Sequence, residues 1–262
     1  KFNFFSNFCL FWFSVQQWNE IVGGDVYHSE DVFQRNYDEM ESKFKIYSYN
    51  RDDDDDDDDD TPRSIHWTYA SESYFFKNIR ESWFLTDDPH LAHLFFIPLS
   101  CHKIRQKIFL TMNIDDYCLL FMIKSNFVPS IRGVCSSSYV DRDGFIPHKD
   151  FAIPQINQPF AQPAGGNETH RRYCIVYVIL GDHFDLPFVD ILEWRKFALL
   201  LKEADVYILK DILKAKAGAE YRMLHNNLLK VQKHFRWNTP PVKLDAFHMV
   251  IYDLWLRRNV VK

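Results

Sequence analysis

Glycine is scarce, with 8 residues among 262. A doubly wound nucleotide-binding enzyme spends glycine on the turns that bring its backbone against a phosphate. The shortage therefore predicts that such ligand loops are absent. Cysteine is equally thin. Cys9, Cys101, Cys118, Cys135 and Cys174 contain no C-x-x-C pair, which argues against a zinc site. Their odd number leaves at least one thiol free in a luminal chain. There is no Lys/Arg cluster of the kind that grips nucleic acid, no HExxH-like pairing and no internal repeat. The apolar, aromatic stretch from Phe2 to Val15 is interrupted by Asn3, Ser6, Asn7 and Ser14. It is shorter than the ~20 residues of a membrane span. No small-residue cleavage site follows it, against a signal peptide. It reads as the tail of a longer signal-anchor or as mispredicted coding sequence.

What is present is aromatic. The chain carries 24 Phe, 13 Tyr and 7 Trp, and its length suffices for one large or two small domains with a real core. The net charge of −5 becomes +4 once the nine aspartates of Asp52 to Asp60 are set aside. A mildly basic remainder suits an anionic ligand such as a nucleotide sugar. The aspartate run repels itself and cannot pack, so it reads as a solvated spacer. A metal cage would need ligands held in fixed geometry.

Apolar periodicity supplies the elements. Phe33, Tyr37, Met40 and Phe44 predict a helix over Asp31 to Phe44, followed by a short strand, KIYSY. Ser71 is a candidate N-cap with Glu72 in the first turn, and Phe75, Ile79 and Trp83 form the expected buried stripe. Asp88-Pro89 predicts another helix start. Leu94 to Ile97 reads as a strand buried on both faces. Ile108 to Ser130 loses clear periodicity. Pro147, Pro154, Pro159, Pro163 and Gly165-Gly166 punctuate what reads as an interdomain crossing. Cys174 to Leu180 is the strongest strand signal, and Phe197 to Leu201 is a second apolar run. Asp205 is read as capping a helix with Leu209, Ile212 and Leu213. Tyr221, Leu224, Leu228, Val231 and Phe235 predict a long helix stopped near Pro240-Pro241, and Phe247, Val250, Ile251 and Leu254 a last one. His90, His93, His225, His234 and His248 are read as surface or satisfied helical histidines.

Long blocks of the chain carry a resemblance. They are DVYHSEDVF, YDEMESKFKIYSY, YASESYFFKNIRES, TDDPHLAHLFFIPLSCHKIR, GFIPHKDFAIPQ, PAGGN, VILGDHFDLPFVDILEWRKFALLLKEADVY, LHNNLLKVQKHFRWN and DAFHMVIYDLWLRR. On these motifs the sequence resembles the plant exostosin-like glycosyltransferases, glycosyltransferase family 47. The resemblance implies an α/β fold of two facing Rossmann-like domains, the GT-B type. It implies inverting transfer of a sugar, with a UDP-sugar as donor, to a cell-wall polysaccharide or glycan. It also implies a luminal catalytic domain at the Golgi membrane, tethered through an N-terminal anchor that is missing or degenerate here. No permanently bound cofactor is implied, and a divalent metal is left undecided.

Both domains read as incomplete. After Arg105 the family continues through a glycine and a helical stretch to a Cys-His-Asp strand, whereas here IFLTMNIDDYCLLFMIK follows. After Asn167 the family carries a Cys-Pro-Gly-Gly turn and an Arg-bearing helix. Here His170-Arg171-Arg172 runs straight into Tyr173 and CIVYVIL, and Tyr177 stands where proline is expected. A glycine-rich turn before a helix is what admits a diphosphate to backbone N–H groups. The expected division is 1–24 as an anchor remnant, 25–130 as a partial N-terminal domain with an Asp-rich loop at 50–62, 131–172 as an interdomain segment, and 173–262 as a partial nucleotide-sugar domain with C-terminal helices.

Three groups are candidates for chemistry. His148-Lys149-Asp150 reads either as a cleft loop or as a Pro-fixed turn with a local His–Asp hydrogen bond. In the cleft reading His148 or Asp150 is the base at the acceptor hydroxyl and Lys149 faces the diphosphate. Asp182 and Asp185, beyond the strongest strand, read as ribose acceptors or as helix caps. His102 and Arg105, with Lys103, read as acceptor or phosphate contacts or as a solvated basic turn. Asn167-Glu168-Thr169 is a glycosylation sequon. The competing function is a catalytically inactive, truncated member, or an incomplete gene model lacking the donor loops.

Overall fold

The computed structural model describes residues 25–49, 70–98, 117–123, 129–134, 145–147, 149–155, 176–182, 185–216 and 218–259. His102, Arg105, His148, Asn167, the aspartate run and the first 24 residues lie outside that set.

Helix α1 (Glu30–Lys43) forms as its periodicity requires. Phe33, Tyr37 and Met40 are buried on one stripe, Glu30 and Asp31 sit in the first turn, and Lys43 sits in the last. Strand β1 (Ile46–Ser48) follows, and α2 (Ala70–Arg80) comes next. Helix α2 is buried on nearly every side, Glu72 included, and Ser71 lies inside it rather than capping it. Trp83 does not extend its stripe. It is 49% exposed and stacked on Phe84, whose ring takes the core position instead. The helix has ended at Arg80, so the i, i+4 register no longer points residue 83 inward.

Asp88-Pro89 begins a single turn and no helix. Asp88 Oδ1 accepts from His90 N at 2.8 Å and the Asp88 carbonyl accepts from Leu91 N at 3.1 Å. Strand β2 (Leu94–Ile97) buries Leu94 and Phe96 and leaves Phe95 and Ile97 half-buried, so one face is packed rather than both. The stretch that lost periodicity holds strand β3 (Tyr117–Ile123), and β4 (Pro129–Val134) begins at its end. Strand β5 (Phe151–Ala152) completes a five-stranded sheet in the order β1-β2-β3-β4-β5. The outer pairs β1–β2 and β4–β5 are parallel, and the pairs made by β3 are antiparallel. Residues 131–134 and 151–153, expected in an interdomain crossing, are therefore sheet and core. Gly133 lies against β5, where a Cβ would come within 2.8 Å of Phe151 Cζ.

A second, two-stranded parallel sheet pairs β6 (Tyr177–Leu180) with β7 (Ala198–Leu201). One turn of 3-10 helix, Trp194–Lys196, precedes β7, and another, Glu203–Ile208, follows it and leads into α3 (Leu209–Ala215). Asp205 is the third residue of that turn and reaches back to Lys202 N at 2.9 Å. Helix α4 (Ala219–Val231) buries Leu224, Leu228 and Val231, and a 3-10 turn, Gln232–Phe235, extends it.

Helix α5 (Ala246–Arg257) is the centre of the core, buried along its length apart from Leu256. Phe247 meets Phe75 of α2 at 5.6 Å, and Phe75 in turn meets Phe96 and Phe121 of the sheet at 5.6 and 5.9 Å. Tyr252 meets Phe33 of α1 at 5.1 Å. The return path runs ahead of α1. Tyr27 bridges Leu192, His28 N donates to the Ile191 carbonyl, and Glu193 N donates to the Val26 carbonyl. The protein is thus mixed α/β with small parallel pairings, and its chain crosses twice between the five-stranded sheet and the β6–β7 half.

Candidate functional site

Two loops carry the described candidates, and both return to one guanidinium. The first is the turn leading into β5. Lys149 N and Asp150 N donate to the Ile146 carbonyl at 3.2 and 2.8 Å. The Asp150 carboxylate closes the turn from inside. Its Oδ2 accepts from Ile146 N at 3.0 Å and from Arg132 Nε and Nη2 at 3.1 and 2.5 Å, while Oδ1 accepts from Arg132 N at 3.2 Å. Asp150 is 0% exposed. A buried carboxylate needs this many donors to remain charged. The result is a fixed turn stapled to β4, with the Asp150 oxygens turned to Arg132 and the Ile146 amide. Lys149 is half-buried on the same turn and makes no ion pair among the described residues. His148, which precedes Lys149 in the sequence, lies outside the described residues.

The second loop joins β6 to β7. Asp182 does not face outward alone, since its Oδ2 accepts from Glu203 N at 3.3 Å. That bond ties the end of β6 to the 3-10 turn after β7. Further on, Phe188 is buried with φ 60. A bulky residue in that left-handed region costs on the order of 1–3 kcal/mol and persists only where packing over-determines it. Here its carbonyl accepts from Ile191 N and Leu192 N at 3.0 and 2.8 Å, and Trp194 Nε1 donates to the Pro187 carbonyl at 2.9 Å. The strained turn presents Asp190.

Arg257, in the last turn of α5, joins the two loops. Its Nη2 donates to Asp190 Oδ2 at 2.8 Å, and its Nε donates to the Asp150 carbonyl at 3.3 Å. Its Nη1 pairs with the Asp253 carboxylate one turn back and donates to the Asp253 carbonyl at 3.3 Å. The Phe151 ring lies 5.8 Å from the guanidinium carbon. Burial pulls the Arg257 pKa below the ordinary arginine value, while the charges of Asp190, Asp150 and Asp185 oppose that shift. Asp150 and Asp185, singled out in the sequence from different motifs, therefore act on the same cation.

Chemically this is a compensated cluster that holds backbone in place. Arg132, Arg257 and Asp190 were missed by sequence reasoning. The Asp253–Arg257 spacing of four along an otherwise apolar helix was the available signal; Arg132 gave none, because β4 itself was not legible. Among the described residues no group of His, Cys, Asp and Glu is arranged to hold a metal ion.

No family model matches the chain. Curated proteins do. Probable glycosyltransferase At5g03795 of Arabidopsis thaliana is 25% identical over 350 aligned positions, which take in 91% of this chain and 67% of the relative. Probable glycosyltransferase At5g25310 is 23% identical over 363 positions, with 93% and 74% covered. Probable glycosyltransferase At3g07620 is 25% identical over 352 positions, with 91% and 74% covered; both are also from Arabidopsis thaliana. The alignments are longer than the 262-residue chain, so stretches of each relative have no counterpart here. These likenesses support kinship with glycosyltransferases in general.

Proposed function

We propose that this chain derives from an exostosin-like glycosyltransferase that transfers a sugar from a UDP-sugar to a cell-wall polysaccharide or glycan, with inversion, in the Golgi lumen. The observation that carries the reading is similarity along more than nine-tenths of the chain to three proteins named as probable glycosyltransferases. In this reading the turn at 145–150 and the loop at 182–190 form the two walls of the site. Lys149 supplies positive charge to the departing diphosphate. Asp185 receives a ribose hydroxyl. His148 is the base at the attacking hydroxyl, and Asp150, held by Arg132, fixes the turn that carries Lys149. His102 and Arg105 remain proposed acceptor or phosphate contacts, and Asn167 a proposed glycan attachment point.

A second reading is a member that has lost donor binding. The unmatched stretches of the relatives favour it, as does the absence of a glycine-rich turn between Asn167 and β6 in the sequence. Calorimetric titration of the purified chain with a panel of UDP-sugars separates the two. Binding in the micromolar to millimolar range, with released UDP in the presence of glycan acceptors, is the outcome expected of a transferase. No heat and no UDP release with any donor would establish the second reading and remove the first.

A further inference from the structure

We infer that Arg257 is the positioning residue that sets the spacing of the two proposed site walls, a role that deepens the transferase reading and rests on it for its catalytic part. The geometry is specific to one guanidinium. Three of its nitrogens serve three separate segments: Nε the Asp150 carbonyl (3.3 Å), Nη2 the Asp190 carboxylate (2.8 Å), and Nη1 its own helix through Asp253. The Asp150 end of this bridge is held a second time, from β4, by Arg132. The Asp190 end belongs to the loop strained at Phe188. Arg257 is buried, and only its contact with Asp190 reaches a part-exposed partner.

Burying a guanidinium is costly, and an apolar residue of similar volume would serve the core as well or better. What an apolar residue cannot do is hold two loops from different halves of the chain at a fixed separation. Lysine cannot do so either, because one ammonium lacks the planar fork that spans three acceptors. Positioning at this level governs rate steeply, since a displacement of about 1 Å between reacting groups costs up to ~100-fold.

Arg257→Met, Arg257→Lys and Asp190→Asn, each in the full chain, test this by hydrogen exchange and by donor turnover. In Arg257→Met, the amides of Ile146, Lys149 and Asp150 and those of 185–192 exchange at least about tenfold faster while those of α2 and β2 keep their protection. In Asp190→Asn the gain is confined to 185–192. Arg257→Lys recovers part of the protection at one loop but not at both. With an active donor, kcat falls by about tenfold or more in Arg257→Met while KM for the UDP-sugar changes less. Exchange within twofold of the parent in both loops would overturn the inference, whatever the activity. If Arg257→Met does not fold, Asp190→Asn decides: uniform loosening of the whole chain, or none, overturns it. A parent chain inert toward every UDP-sugar removes the transferase reading but leaves the exchange comparison to judge Arg257.

Discussion

His234 gives its Nδ1 proton to the Leu244 carbonyl at 2.8 Å and takes the Tyr27 hydroxyl on Nε2 at 2.7 Å. Both ring nitrogens are occupied, and the ring is 0% exposed. Burial, with Lys233 adding to it and the Leu244 bond opposing it, pushes the pKa from 6.5 down to about 4. The unfolded chain binds the proton near pH 6.5 and the folded chain only near 4. Stability is therefore full above about pH 6.5 and drains away as pH falls toward 4, by roughly 2–3 kcal/mol between pH 7.5 and 4.5. Urea titrations of the parent and of His234→Gln across that window measure the difference; equal slopes against pH would refute the assignment. At this scale the sequence was partly legible. It left His234 as either a surface or a satisfied histidine and gave no sign of Tyr27 as its partner, because the two lie 207 residues apart. Trp83 and Phe84 show the same limit: either could have been the core ring, and the end of α2 decided between them.

Asp245 shows what an element needs at its start. Its Oδ1 accepts from His248 N at 3.2 Å and from His248 Nδ1 at 3.0 Å, and its Oδ2 accepts from Val242 N at 2.9 Å and Asn238 Nδ2 at 3.0 Å. The Asn238 carbonyl in turn receives Asn78 Nδ2 from α2 at 2.8 Å. One carboxylate thereby caps α5 and orders the loop that docks it on α2. Asp245→Ala removes the cap and strands buried donors, and is expected to cost about 2–4 kcal/mol. A loss under 1 kcal/mol in chemical denaturation would contradict that. Helices α1 and α4 were readable because one apolar stripe repeats along each, and α5 because apolar residues recur along its whole length. Strands β3 and β4 were not. Strand β3 reads YCLLFMI, a continuous apolar run whose element type periodicity alone does not decide, and β4 carries Pro129 and Gly133 within six residues. The Asp88-Pro89 signal was genuine locally, but a turn needs no more than it supplies.

Across the molecule, one aromatic core runs from Val26 and α1 through α2, the five-stranded sheet and α5 to Phe188, Phe197 and α4. Two polar crossings reinforce it: the 26–28 segment against 191–193, and Arg257 against both loops. The two halves should therefore unfold together. Tryptophan fluorescence and far-ultraviolet circular dichroism are expected to give coincident denaturation midpoints; two separated transitions would show that the halves melt independently. The α/β character and the order of most elements could be read from periodicity. The double crossing could not, since it depends on contacts between residues more than a hundred positions apart. Nor could the identity of Arg257 as the joint between loops, for an arginine near a helix end is by default a dipole partner facing water.

The helix that completes the core, α5, comes after every other described element in the chain. Until α5 has emerged from the ribosome, the inner faces of α1, α2 and the larger sheet have nothing to close on, and their phenylalanines stand open to water. The core of the described residues is therefore expected to close only once α5 has been made, so a chain cut before Ala246 should expose apolar surface and aggregate.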